Sequence, residues 1–129
     1  MAAVPVAAAE QPQVAPLLDA EKLDVFRRAV EFQVLAAEIA GKAPAGLRDQ
    51  FERASVSIVL NIGEGAGRRS PRDKRRFYSI GRGSAMECGA ILAIVAARKL
   101  TDAAECESAR RLLIRVVQML SALERRMGP

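Results

Sequence analysis

Between residues 21 and 127, apolar side chains return every three or four positions, and the pattern breaks in only three places. The breaks are Gly41-Lys42-Ala43-Pro44-Ala45-Gly46, the stretch from Gly65 to Ser70, and the pair Thr101-Asp102. Such spacing commits a chain to amphipathic helices. No segment alternates with the period of two that a half-buried strand requires. Four long helices joined by short loops predict an all-α, antiparallel up-down-up-down four-helix bundle.

The stripes predict each helix's inner face. The first helix, from about Glu21 to Ala40, carries Leu23, Phe26, Val30, Val34, Ala37 and Ala40 at helical spacing. The second opens near Leu47, carries Phe51, Ala54, Ile58 and Ile62 with Val59 alongside, and ends at Gly65–Gly67. Ser70-Pro71-Arg72-Asp73 is a helix start: Ser70 caps, Pro71 takes the first helical position, and Asp73 meets the positive end of the helix dipole. The third helix then runs to about Lys99, with Phe77, Ile80, Ser84, Cys88, Ile91 and Val95 on one side, widened by Ala85, Leu92 and Ala96. Thr101-Asp102 opens the fourth, which runs to about Met127 on Leu112, Leu113, Val116, Met119, Leu120 and Leu123. Ahead of the bundle domain at 19–129, residues 1–18 hold Pro5, Pro12 and Pro16 among alanines and are expected to form a disordered tail.

Half of the 129 residues are hydrophobic, yet only five are aromatic and neither Trp nor His occurs, so the core rests on Ala, Leu, Ile and Val. Cys88 and Cys106 make no disulfide framework and are read as small buried hydrophobes. Without histidine or a CxxC pair, no metal or other cofactor is expected. No apolar run reaches membrane-spanning length, and the prolines interrupt any signal-peptide core, which points to the cytoplasm.

The positive charge is concentrated. Residues 68–82 hold seven basic side chains against Asp73 alone, a net of +6, while the rest of the chain, thirteen basic against fourteen acidic, nets −1. Six of the seven are Arg68, Arg69, Arg72, Arg75, Arg76 and Arg82. One reading is a solvated helix face. The other is an electrostatic footprint for RNA or DNA phosphates, with Tyr78 as a side chain on which a base can stack. A protein-interaction scaffold that docks an acidic protein partner on the same arginines is the alternative.

The glycine run Gly63-Glu64-Gly65-Ala66-Gly67 follows a helix and lacks G-x-G-x-x-G spacing, so it is not a nucleotide loop. Asn61 with Glu64, and Ser84 with Glu87, sit three apart and flank the same turn, so the two pairs can meet across the bundle. They read either as a polar network that fixes helix register or as acid/base carboxylates. No nucleophile or metal-ligand set accompanies them, so the network is preferred and no catalytic residue is assigned.

The string S-V-S-I-x-x-N-I-x-E-G-x-G-R-R-S over Ser55–Ser70, followed by D-x-x-R-F-Y-x-I-x-x-G-S-x-x-E over Asp73–Glu87, resembles the 23S rRNA-intervening sequence proteins. The likeness covers about residues 21–126. It implies a four-helix bundle that assembles with itself, typically as a homo-pentamer, with no established enzymatic activity and an unsettled biochemical role. It also implies similarity in fold to the accessory proteins of diversity-generating retroelements, which bind nucleic acid and a reverse transcriptase. The family motif falls here on Asn61, Glu64, Gly65, Arg68, Ser84 and Glu87. Gly63 and Gly81 depart from it, standing where Ala is common, and are expected to loosen the helices near the turn.

Overall fold

The computed structural model describes residues 15–129; the expected tail lies outside them except for its last four positions. The described chain is all-α. A single 3-10 turn, Asp19–Lys22, leads into α1 (Asp24–Ala40), α2 (Ala45–Gly67), α3 (Pro71–Ala97) and α4 (Ala103–Arg126). No strand is present among the described residues. Helix α2 packs against α1 and α3, and α4 closes the bundle against α3 and α1.

The helix starts follow the capping chemistry. Ser70 Oγ accepts from the Asp73 amide at 3.1 Å, with Pro71 in the first turn of α3. Asp102 Oδ1 accepts from the Glu105 amide at 2.7 Å at the start of α4. At α2 the cap is Pro44, with no side-chain hydrogen bond, and the helix begins two residues before Leu47. Helix α3 ends through Lys99 in the left-handed region at φ 53°, a conformation more commonly left to glycine. Lys42 Nζ donates to Glu105 Oε1 at 2.7 Å and so ties the α1–α2 loop to α4. That hydrogen bond holds the Glu105 carboxyl below its ordinary range, and the carboxylate in turn raises the Lys42 ammonium.

The core follows the predicted stripes on α2 and α4. Phe51, Ala54, Ile58 and Ile62 are buried on α2, and Leu113, Val116, Leu120 and Leu123 on α4. Helix α1 differs. Its buried line is Val25, Ala29, Phe32, Ala36, Ile39 and Ala40, while Val30 and Val34 are 40% and 53% exposed. The helix carries two apolar stripes, and burial goes to the one holding Phe32. That ring meets Phe51 edge-on at the centre of the core, 6.3 Å between centroids and 67° between planes.

Helix α3 departs from its predicted face mainly in its first half; in the second half only Ala96 of the predicted residues is exposed. In the first half Tyr78 and Gly81 turn inward, Phe77 is half-buried, and Ile80 is 44% exposed. The cause is a close approach at Gly65. A Cβ at that position would lie 2.8 Å from the Tyr78 ring and 3.1 Å from Phe77 Cβ. The missing side chain is the space that lets Tyr78 enter the core. Gly63 and Gly81 are not needed in this way: a Cβ would meet its nearest neighbour at 3.9 Å and 3.4 Å respectively, ordinary contact distances.

Both cysteines are free and buried, and burial pushes the Cys88 thiol up to about 12. The expectation that no segment is long and apolar enough to span a membrane is corrected by α3, which contains such a stretch by length and composition. Ala85, Cys88, Ile91, Leu92 and Val95 of that stretch face the core of the bundle.

Two glycine variants test the packing. Gly65→Ala should destabilise the fold by about 1–3 kcal/mol through overpacking. Gly63→Ala should stabilise it by about 0.5–1 kcal/mol through helix propensity alone. Urea unfolding reads both, and an equal response at the two positions contradicts the close approach.

Candidate nucleic-acid interface

The basic segment begins where α2 ends. The last carbonyls of a helix have no partner within it, and Lys74 meets two of them. Its Nζ donates to Ala66 O at 2.8 Å and to Gly65 O at 3.5 Å. Two arginines are also drawn into the fold. Arg75 Nη1 donates to Gly128 O at 2.7 Å, and Arg82 Nε to Ser121 Oγ at 2.9 Å. Arg82 therefore ties α3 to the far half of α4, and Arg75 ties it to the segment just beyond α4.

The remaining four arginines stay at the surface. Arg68 Nη2 pairs with Glu64 Oε2 at 2.6 Å, one helical turn back. Its guanidinium carbon lies 4.7 Å from the Phe77 ring centroid, and that of Arg76 lies 4.4 Å from the same ring. Arg69 and Arg72 are exposed and make no hydrogen bond or ion pair with the described residues. Arg72 and Arg76 line a surface cleft with Asp73, Arg75, Ser79 and Glu124. One carboxylate oxygen of Glu124 is buried there without a hydrogen-bond partner.

The six arginines of the sequence reading thus share a region but not a role. Tyr78 does not join them. It is 2% exposed, and burial raises its hydroxyl pKa, so the proposed base-stacking side chain is in the core. Sequence spacing also overlooked Arg125 and Arg126 in the last turn of α4. The Arg75–Gly128 bond brings the chain end just beyond that turn beside the start of α3, which adds two more cations to this end of the molecule. The only signal was their place at a helix C-terminus, where basic residues suit the dipole.

The polar quartet resolves differently from its expected form. Asn61 Nδ2 donates to Ser57 O at 2.9 Å and to Ser57 Oγ at 3.1 Å, and Ser57 Oγ lies 2.8 Å from Ser84 Oγ. Asn61 and Ser84 are therefore joined through Ser57, which the sequence reading passed over. Glu64 and Glu87 are exposed and do not meet. The Ser57–Ser84 and Gly65–Tyr78 contacts set the register and leave the two carboxylates eight to ten residues apart along the helices, roughly 12–15 Å at 1.5 Å per residue. Among the described residues no three His, Cys, Asp or Glu side chains form a group suited to a metal ion. This geometry offers hydrogen-bonded register between α2 and α3, and a cluster of guanidiniums suited to anionic oxygens.

Stability should separate the two kinds of basic residue. Lys74→Ala and Arg82→Ala each remove a fold-internal hydrogen bond and should cost about 1 kcal/mol. Arg69→Ala and Arg72→Ala should stay within about 0.5 kcal/mol of the parent. Denaturant midpoints measured for the four variants check this, and a comparable loss at Arg69 or Arg72 contradicts the division.

Comparison with curated protein sequences gives no match. The family model of the 23S rRNA-intervening sequence proteins matches residues 21–122, from the 3-10 turn through most of α4. That span contains the Asn61–Ser57–Ser84 network, the Gly65 contact and all six arginines of the basic segment. With most of the chain matched, this protein belongs to the family of 23S rRNA-intervening sequence proteins.

Proposed function

We propose that this protein is a non-enzymatic, self-associating four-helix bundle that binds RNA or DNA through the arginines around the α2–α3 turn. The observation that carries the reading is the division among the basic residues. Lys74, Arg75 and Arg82 are occupied within the fold, whereas Arg69 and Arg72 are exposed and have no partner among the described residues, with Arg68 and Arg76 beside them. Free guanidiniums at one end of a bundle attract phosphates through counterion release and do not read base sequence.

Self-association is supported by the second apolar stripe of α1. Val30 and Val34 are exposed there, and Val56 and Leu60 are exposed on α2, the helix that packs beside it. Leu60 is 65% exposed. Val56 and Leu60 line an open, mostly apolar cleft on α2 with Ser57 and Asn61. Exposed apolar side chains on two neighbouring helices are what a contact surface between copies requires. The family resemblance makes a homo-pentamer the expected assembly. An antiparallel up-down-up-down course is supported on α2 and α3, where Ser57 meets Ser84 and Gly65 meets Tyr78.

Fluorescence polarisation with a generic single-stranded RNA tests the binding. The protein should bind at low salt. Arg69→Ala combined with Arg72→Ala should weaken it without sequence preference and flatten the log–log salt slope by about 1.4, at about 0.7 for each lost phosphate contact. No detectable binding at about 50 mM salt, where counterion release still favours the complex, overturns the reading. Recovery of one acidic protein after nuclease treatment would favour the docking-scaffold alternative. Sedimentation tests the assembly: Leu60→Glu with Val34→Glu should give a folded species smaller than the parent, and an unchanged mass contradicts the proposed interface.

A further inference from the structure

Two guanidiniums separated by eight residues of sequence converge on one ring. Arg68 closes the end of α2, Arg76 belongs to the second turn of α3, and both lie against Phe77 at under 5 Å from its centroid. Phe77 is itself held in place. Its Cβ sits beside Gly65, the point of closest approach between α2 and α3, and the neighbouring Tyr78 is locked in the core. The ring is thus a fixed element of the fold, while the arginines it holds remain open to solvent. Glu64 adds a second restraint on Arg68.

Long cationic side chains usually lose rotamer freedom when they engage an anion, which subtracts from affinity. A guanidinium stacked on an aromatic face has already lost much of it. Its edge N–H groups still point outward for bidentate contact with an anionic oxygen pair. Both guanidinium carbons lie under 5 Å from the ring centroid, so a nucleobase has little of Phe77 to stack on.

We propose that Phe77 is a positioning residue that pre-orders Arg68 and Arg76 as a two-guanidinium clamp for the phosphodiester backbone of a nucleic acid. The inference rests on the nucleic-acid reading of the preceding subsection and adds to it the residue that organises the contact. It assigns backbone phosphate as the group recognised at this position. It also assigns Glu64 a competing role, since its carboxylate occupies the guanidinium of Arg68 that a phosphate would take.

A double-mutant cycle tests it, with binding of one single-stranded RNA followed by polarisation. Phe77→Leu keeps every charge and an apolar side chain but removes the aromatic face. It should weaken binding by about five- to thirty-fold, the factor expected from two exposed cation–π contacts. Phe77→Tyr should restore the parent affinity. Arg68→Lys with Arg76→Lys keeps the charge without the planar stack and should give a similar loss. Adding Phe77→Leu to that lysine pair should then cost less than about twofold, because the ring acts only through the guanidiniums. Glu64→Gln should tighten binding.

If the parent protein binds no RNA, the nucleic-acid reading fails and this clamp with it. If the parent binds and Phe77→Leu binds within about twofold of it, the clamp alone is overturned. Fully additive losses in the cycle overturn it as well. Should Phe77→Leu fail to fold, as judged by its helical circular dichroism, the lysine pair carries the test. Parent-like affinity in the lysine pair would then overturn the clamp.

Discussion

The absence of a side chain at Gly65 governs the α2–α3 end of this molecule. The α2–α3 contact closes to a distance that excludes a Cβ, and the space is filled by the Tyr78 ring and the Phe77 stem. Everything distinctive about the basic segment follows from that approach. With Tyr78 turned into the core, its neighbour Phe77 is left at the rim, where Arg68 and Arg76 stack on it. The same closeness brings Lys74 onto the terminal carbonyls of α2. Glycine in a helix costs roughly 1 kcal/mol relative to alanine, and at Gly65 the packing of two aromatic residues offsets it. At Gly63 no described residue comes close enough to do so.

The helix count, the breaks and the caps at Ser70 and Asp102 were legible in the sequence because they are local. Capping chemistry and helical period depend on residues a few positions apart. The choice between competing faces was not local. Helix α1 carries a Val30/Val34 stripe and a Phe32/Ile39 stripe, and only the Phe51 ring on another helix decides which one is buried. The same applies to Tyr78, whose inward turn depends on a gap one helix away. Ser57 was overlooked because nothing around it marks it as polar core. Its partners, Asn61 and Ser84, do the marking only once α2 and α3 are in register.

The candidate site was legible as a composition and illegible as a division of labour. Charge counting finds seven basic residues from Arg68 to Arg82. It cannot tell that Arg82 is tied to the far half of α4 and Arg75 to Gly128 just beyond it, or that Arg125 and Arg126 approach from the last turn of α4. Those assignments depend on contacts between residues about forty to fifty positions apart. The expected network of Asn61, Glu64, Ser84 and Glu87 forms only through Asn61 and Ser84, for the same reason. Spacing within each helix was right, but inter-helix register separates the two carboxylates along the bundle.

On the proposed reading, the cations that meet a nucleic acid are those the fold leaves unused. Arginine-selective modification followed by mass spectrometry tests it residue by residue, with and without saturating RNA. Arg68, Arg69, Arg72 and Arg76 should become protected on RNA binding, while Arg111 and Arg115 on the exposed side of α4 keep their reactivity. Protection spread evenly over all exposed arginines, or confined to α4, would contradict the account.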